Sequence, residues 1–502
     1  FQAMRHLLAL LWVGISLPCL SQQVFNRAYE YGYPRNQFRN LIVHNDTIVS
    51  YGMARTDTLP HRQCLFVARL DSSGAKIDHT LICDPLGGTL AMDINWADMA
   101  RTSDGGYALT ASSITRNDGA FIKLRSDLSV EFVREYRDTV NFVEFFDAAI
   151  ELSDGYLLGG YVQQPNYLIQ SFLRRVDKQG NTLWFSYYGE HSVTDLFSDY
   201  LKINDSLIVF VGGYVTNGNT LSGRGPWIAF INPNDGEIIK EWRPENYLEV
   251  FLHFINPLPG NRWLLYGKRA LQVNPLQVSP FWAIADSAFE IEDIRLFGPG
   301  SGVSNFLWDF APTPDGNFIA AGQVDALNPN TEPAQVYGWL YKVSPGLDSL
   351  WSRKMIPPIA GTQGGFFGGV GVLSSGNMVA GGYCGLSNGA VQGWLVKFTP
   401  DGCVDTILCN TVPVWEPEEQ ELREPPARVY PNPTTGRFFV ELPKDSGPVR
   451  VLVHSLDGRT VLEQTITTSV ELDGTGLRPG LYFCRVVDAT GLRLVAKLII
   501  SR

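Results

Sequence analysis

LSDGYLLGGYV (residues 152–162), followed by SFLRRVDKQGNTLWFSYYG (residues 171–189), is the stretch on which the fold turns. It reads as a polar turn, a short apolar strand ending in small residues, and two further strands joined by the tight turn DKQG. An apolar segment, FFDAAIEL (residues 145–152), leads into it, which makes four short strands in one unit.

The same phrase recurs along the chain. Its opening strand returns as HNDTIVSYGMA (44–54), TSDGGYALTAS (102–112), INDSLIVFVGGYV (203–215), LPGNRWLLYGK (258–268), TPDGNFIAAGQV (313–324) and LSSGNMVAGGYC (373–384). The hairpin returns with it, from CLFVARLDSSGAKIDHTLI (64–82) to GWLVKFTPDGCVDTIL (393–408). Seven units at a spacing of roughly 55 residues fill the segment 22–410, and a four-stranded unit of that period cannot bury both faces alone. Radial stacking buries them, so the sequence predicts an all-β, seven-bladed β-propeller; a β-solenoid or a pair of sandwiches is the alternative. VFNRAYEYG (24–32) resembles the outer strand of a unit and is expected to close the ring on the last blade. The repeat also resembles the propellers of secreted Bacteroidetes proteins, distantly similar to kelch-type blades.

Composition agrees. Charged residues are 18% of the chain against 45% hydrophobic, which leaves ample core and excludes global disorder. Net charge is −11 with no long basic run, which argues against nucleic acid or an anionic membrane surface as a partner. Residues 1–21 read as a signal peptide with upstream residues: Arg5 is the positive region, LLALLWVGISL (7–17) the apolar one, and Cys19 and Ser21 flank a cleavage site before Gln22. The apolar run is too short to span a hydrocarbon core of about 30 Å, and no transmembrane segment is expected elsewhere. Cys64 and Cys83 sit symmetrically about the turn DSSGA and are a candidate disulfide; Cys403 and Cys409 are the second candidate pair. Cys384 and Cys484 are expected unpaired.

From residue 411 the character changes. TVPVWEPEEQELREPPA (411–427) is an acidic, proline-rich linker. Alternating strands separated by TTG, DG and PG turns follow in 428–502 and predict a small immunoglobulin-like β-sandwich. Here Pro431-Asn432-Pro433 with Gly436, the VHSLDGRTV turn carrying Asp457 and Gly458, LRPGLYFCRV with Gly480 and Tyr482, and the terminal KLIISR resemble a type A sorting domain of the type IX secretion system. The resemblance implies the type IX machinery as a partner and a secreted or outer-surface destination.

Catalytic signatures are missing. There is no HExxH, phosphate-binding loop, GxSxG or EF-hand motif, and the histidines show no metal-ligand spacing, so no catalytic residue, metal or cofactor is assigned. GGFFGGVGVLSSG (364–376) reads as an inner strand packed close to a channel. The turns are uniform, whereas the second-to-third connections vary in length and define the face where an extracellular glycan or protein ligand would bind. Tyr167, Asn217, Asn219, Asn328, Asn330 and Tyr337 are the candidates on that face. A binding or adhesion module is the expectation; a hydrolase or lyase with carboxylates or histidine at the channel mouth is the alternative.

Overall fold

The computed structural model describes residues 24–56, 62–84, 87–92, 99–113, 115–137, 143–163, 169–189, 194–215, 224–244, 250–273, 276–297, 305–326, 335–404, 428–442, 448–455, 459–488 and 491–501. Among these residues there are strands and turns but no helix. The chain divides into two compact units, 1–416 and 417–502. The expected signal peptide and linker lie outside the described residues.

Strand pairing in the larger unit follows the repeat. Arg35–His44, Thr47–Arg55, Gln63–Leu70 and Lys76–Ile82 form the first antiparallel ladder. In the second, Met99–Arg101, with the short Leu90–Ala91 beside it, leads to Tyr107–Ser113, Asp118–Leu124 and Val130–Tyr136. Val143–Leu152, Gly155–Gln163, Ile169–Asp177 and Thr182–Tyr188 make the third. Thr194–Asn204, Leu207–Val215, Arg224–Ile231 and Ile238–Trp242 make the fourth. The fifth is Val250–Leu258, Arg262–Val273, Leu276–Ala285 and Ile291–Leu296, and the sixth Asn305–Pro312, Phe318–Ala326, Gln335–Val343 and Ser349–Met355. The last takes Thr362–Val372, Met378–Leu386 and Val391–Phe398 from its own stretch, and its fourth strand, Phe25–Tyr29, from the other end of the body.

The core lies between ladders. Val49 and Leu65 of the first ladder pack with Leu109 and Ile122 of the second, and Leu173 of the third with Trp227 of the fourth. Trp282 and Trp339 join the fifth and sixth. Val379 and Leu395 of the last ladder share a cluster with Phe38 and Phe66 of the first. Each ladder thus buries apolar faces that would be wet in isolation.

Polar contacts repeat at the same seams. Ser103 donates through its backbone N–H and hydroxyl to Glu151 of the next ladder. Ser374 does the same to Asp46 of the first ladder, with the N–H at 2.7 Å. Lys342 Nζ donates to the Pro400 carbonyl at 3.2 Å, and Lys397 Nζ to the Ser72 carbonyl at 2.8 Å, the same turn position one ladder on.

The third-to-fourth turns of the first, third and fifth ladders are set by an aspartate, Asp71, Asp177 and Asp286, and a left-handed residue. Asp177 Oδ1 accepts from the N–H groups of Gln179 and Asn181, and Gly180 supplies the positive φ. Leu128, Phe289 and Leu347 take the same conformation at φ of 65–67° without being glycine. All three are buried, so packing offsets a backbone state that bulky residues avoid.

The Cys64–Cys83 disulfide is present as expected. Cys403 is also disulfide-bonded, and its expected partner Cys409 lies outside the described residues. Cys384 and Cys484 are free and buried.

In the smaller unit, Arg428–Tyr430, Arg437–Glu441 and Val470–Asp473 form one sheet. Thr460–Ile466, Val449–Ser455, Gly480–Asp488 and Gly491–Ile500 form a second. Phe438 and Val440 from the first sheet and Val451, Cys484 and Leu498 from the second fill one core.

Candidate functional site

The first strand of a ladder carries a β-bulge, and the bulge falls at one place in six of the ladders among the described residues. The pairing register slips between Phe38 and Asn40, Phe146 and Ala148, Phe197 and Asp199, Leu252 and Phe254, Leu307 and Asp309, and Phe367 and Gly369. The skipped residues are Arg39, Asp147, Ser198, His253, Trp308 and Gly368. A bulge bends its strand and re-aims the extra side chain. All six line a single cavity of about 300 Å³.

A glycine on the second strand makes room for each bulge. Gly52, Gly160, Gly212, Gly267, Gly322 and Gly382 pair with the residue just before the skipped one. A Cβ at Gly212 would stand 1.9 Å from the Leu196 carbonyl oxygen, and one at Gly322 1.8 Å from that of Phe306. The small residues that close each repeat phrase are therefore the other half of the bulge.

The lining is chemically mixed. Asn40, Asp199, Asn256 and Asp309 add to the polar set, and Phe197, Phe254, Phe310 and Phe366 give apolar faces. Asp309 is held on both oxygens by backbone N–H groups, Phe310 to Oδ1 and Val370 to Oδ2, each at 2.8 Å. Ser198 donates to the carbonyl oxygens of Leu252 and, at 3.3 Å, Val211. Arg39 lies 5.1 Å from the Tyr383 ring centroid.

Two bases stand close by. Burial, reinforced by the charge of Lys268, holds His253 well below its ordinary pKa, and burial also lowers Lys268. Both keep part of their surface exposed, but protein atoms crowd their polar ends and desolvation dominates. Lys268 Nζ sits 3.8 Å from the Phe306 ring centroid and 4.7 Å from that of Trp308. No group of three or more His, Cys, Asp or Glu suited to a metal occurs among the described residues.

Of the residues expected on the variable face, Tyr167, Asn217, Asn219, Asn328 and Asn330 lie outside the described residues. Tyr337 is placed within the strand Gln335–Val343, opposite Val324, and packs on the core between the fifth and sixth ladders. It does not line the cavity. Phe366 and Gly368 belong to the stretch 364–376 that the sequence places close to a channel; the other cavity residues were not singled out, although FFDAAIEL and LWDFAPTP each carry their signal, a polar residue inside an apolar run.

In the smaller unit, the Pro-Asn-Pro segment clamps the end of the last strand. Asn432 Oδ1 accepts from the Ile499 N–H at 2.8 Å, Thr434 N–H donates to the Ile499 carbonyl at 2.8 Å, and Ser501 N–H donates to the Thr434 carbonyl at 2.7 Å. The peptide bonds Tyr430–Pro431 and Asn432–Pro433 are cis. Gly436, at φ 133°, accepts from the Gly474 N–H. Tyr482 hydroxyl donates to the Arg478 carbonyl at 2.8 Å. Asp457 and Gly458 lie outside the described residues.

Residues 428–501 match the secretion system C-terminal sorting domain. The sorting domain makes this a secreted or cell-surface protein and implies an interaction with the export machinery. No curated protein matches the chain. Among solved structures, the β-propeller domain of the trilobed protease from Pyrococcus furiosus is 11% identical, with a TM-score of 0.40, over 74% of this chain and 95% of that one. A protein of unknown function from Dyadobacter fermentans is 11% identical, with a TM-score of 0.41, over 75% and 98%. A puromycin-hydrolysing peptidase from Mycobacterium tuberculosis is 10% identical, with a TM-score of 0.42, over 83% of this chain and 61% of that one.

Proposed function

We propose that residues 22–410 form a closed seven-bladed β-propeller that binds an extracellular glycan in its central cavity. Residues 1–21 act as the signal peptide and 411–427 as the linker, and 428–502 form an immunoglobulin-like sandwich read by the type IX secretion machinery. The seams support closure: the apolar cluster and polar contacts between the last and first ladders have the same form as those between interior neighbours. The sorting domain supports the route.

One observation carries the binding reading. Six bulges, each cleared by a glycine, turn five unlike side chains and the bare backbone of Gly368 into one space. A device whose purpose was packing alone would repeat the same residue. Aromatic faces and side-chain hydrogen-bonding groups in one concavity suit the C–H faces and hydroxyls of a sugar.

Profiling the secreted full-length chain on a glycan array tests this, with Trp308→Ala and Phe310→Ala beside the wild type. Binding to a defined set of glycans, weakened tenfold or more by either substitution, supports the reading; binding indifferent to both rejects it. A hydrolase is the second reading, favoured by Asp147, Asp199, Asp309 and His253 lining the same cavity. Turnover in a glycosidase panel, lost on Asp147→Asn or Asp199→Asn, would select it.

A further inference from the structure

We propose that the glycan taken by this cavity bears an anionic group, which Lys268 holds while the sugar ring lies on Trp308; this rests on the glycan reading above. The other enclosed lysines of the chain each have an acceptor. Lys123, 3% exposed in its side chain, pairs with Asp104 at 2.8 Å, and Lys342, 5% exposed, pairs with Asp315 at 2.6 Å. Lys178, half-buried, pairs with Glu151 at 3.0 Å. Lys397, also buried, donates instead to the Ser72 carbonyl at 2.8 Å. An enclosed ammonium without an acceptor is costly, and each of these sites meets the cost with a carboxylate or a carbonyl oxygen.

Lys268 breaks the pattern. It stands on the second strand of the fifth ladder, opposite Phe251, two residues before the His253 bulge. Among the described residues neither an ion pair nor a hydrogen bond engages its Nζ. Its neighbours are two aromatic rings, Phe306 and Trp308, stacked nearly parallel at 5.2 Å and 6°. Ring faces attract a cation but accept no strong hydrogen bond, so three N–H donors remain to be satisfied.

The acids of the cavity do not supply the missing charge. Both oxygens of Asp309 are taken by backbone N–H groups, and Asp147 and Asp199 each have an interaction of their own. Lys268 stands beside the cavity, 4.7 Å from the ring centroid of the lining residue Trp308, and Arg39 is a cation of the wall itself. An acceptor carried by a ligand would complete Lys268 in place of water. A carboxylate or a sulfate on a sugar has that chemistry, and the adjoining Trp308 gives the ring its platform.

The test measures equilibrium binding of the full-length protein to four probes: trigalacturonic acid, its fully methyl-esterified form, neutral galactotriose, and a sulfated galactotriose. The expected result is that one acidic probe binds at least tenfold tighter than both the ester and the neutral sugar. The preferred one identifies carboxylate or sulfate as the group. Lys268→Met should abolish the preference while leaving the weaker neutral binding, and Lys268→Arg should retain it. Equal affinity for acid and ester overturns the assignment without touching the glycan reading, as does a preference that survives Lys268→Met. If none of the four probes and no array glycan binds, both fall. The acid-against-ester comparison uses wild-type protein, so it decides the question even if a substitution unfolds the chain.

Discussion

The Tyr29 hydroxyl donates to the Gly74 carbonyl at 2.9 Å, so the strand at the start of the body is pinned to the third-to-fourth turn of the first ladder. Tyr136 makes the same bond to Gly180 at 2.8 Å and Tyr188 to Gly236 at 2.7 Å, each reaching from an outer strand to the next ladder's turn. Arg27 and Arg134, each two residues before its tyrosine, reach the carbonyls of Ser73 and Gln179 at 3.0 Å. The seam where the chain's ends meet therefore uses the interior fittings.

Equal fittings predict equal costs. Tyr29→Phe should lower stability by about 1 kcal/mol, the ordinary net value of one buried hydrogen bond. Tyr136→Phe and Tyr188→Phe should fall within a few tenths of it in urea unfolding of the purified protein. A Tyr29→Phe effect near zero, with the interior pair costly, would mean that the joint is not closed.

Glycine substitutions should separate bulge-clearing positions from spare ones. Gly322→Ala forces a methyl group onto the Phe306 carbonyl oxygen and should cost on the order of 3 kcal/mol. Gly385→Ala, where a Cβ meets nothing within 4 Å, should stay within about 0.5 kcal/mol. Thermal unfolding of the two variants checks the pair.

The Cys64–Cys83 disulfide closes a loop with a sequence separation of 19 between an inner-lying and an edge strand. Removing it by a double serine substitution should cost about 3 kcal/mol, read as a lower unfolding midpoint in denaturant. Dithiothreitol should destabilise wild type and leave that variant unchanged, apart from any contribution of Cys403.

Acid should weaken the seams before the cores. The hydroxyl and backbone N–H of Ser374 hold Asp46 below the usual carboxylate range. Lys202 and then Ser153 bring Asp205 from 3.8 to about 2. Both pKa values are depressed on folding, so their stabilisation is present above the ordinary carboxylate value and is lost as pH falls through each lowered pKa, about 2 for Asp205. Asp46→Asn should flatten the stability profile on the acid side of the ordinary carboxylate range relative to wild type, measured by chemical denaturation at each pH.

Export should depend on the clamp at the chain's end. Deleting residues 499–501 removes the partners of Asn432 and Thr434 in the sorting domain. The truncated protein should accumulate within the cells, where immunoblots of cell and medium fractions would find it. Asn432→Leu, which removes only one acceptor, should reduce secretion less.

The repeat, the pairing of residues 24–32 with the last repeat and the 64–83 disulfide were legible because each depends on local pattern and position. Strand alternation and turn residues mark the units, and two cysteines equidistant from a turn face each other. The cavity was not legible, for a physical reason. Arg39, Asp147 and Trp308 belong to strands whose two-residue alternation is broken at that very point, so counting along the strand gives no face for them. Tyr337 shows the reverse error: a loop-like sequence before it, NPNTEPAQ, hid that it already stands in a strand. The glycines at 160, 212 and 322 were visible as punctuation, but the carbonyl each one clears lies on another strand.

Phe25–Tyr29 is among the first of the body to leave the ribosome, and Val391–Phe398, its partner, among the last. Until residues 391–398 have been made the early strand has no lodging, and afterwards the final sheet has a bare edge until that strand arrives. A stalled or shortened product would carry both defects at once, a loose arm and an open edge, and be conspicuous to proteases. Joining the first strand of the body to its last in this way makes completeness of the body a condition of its maturity.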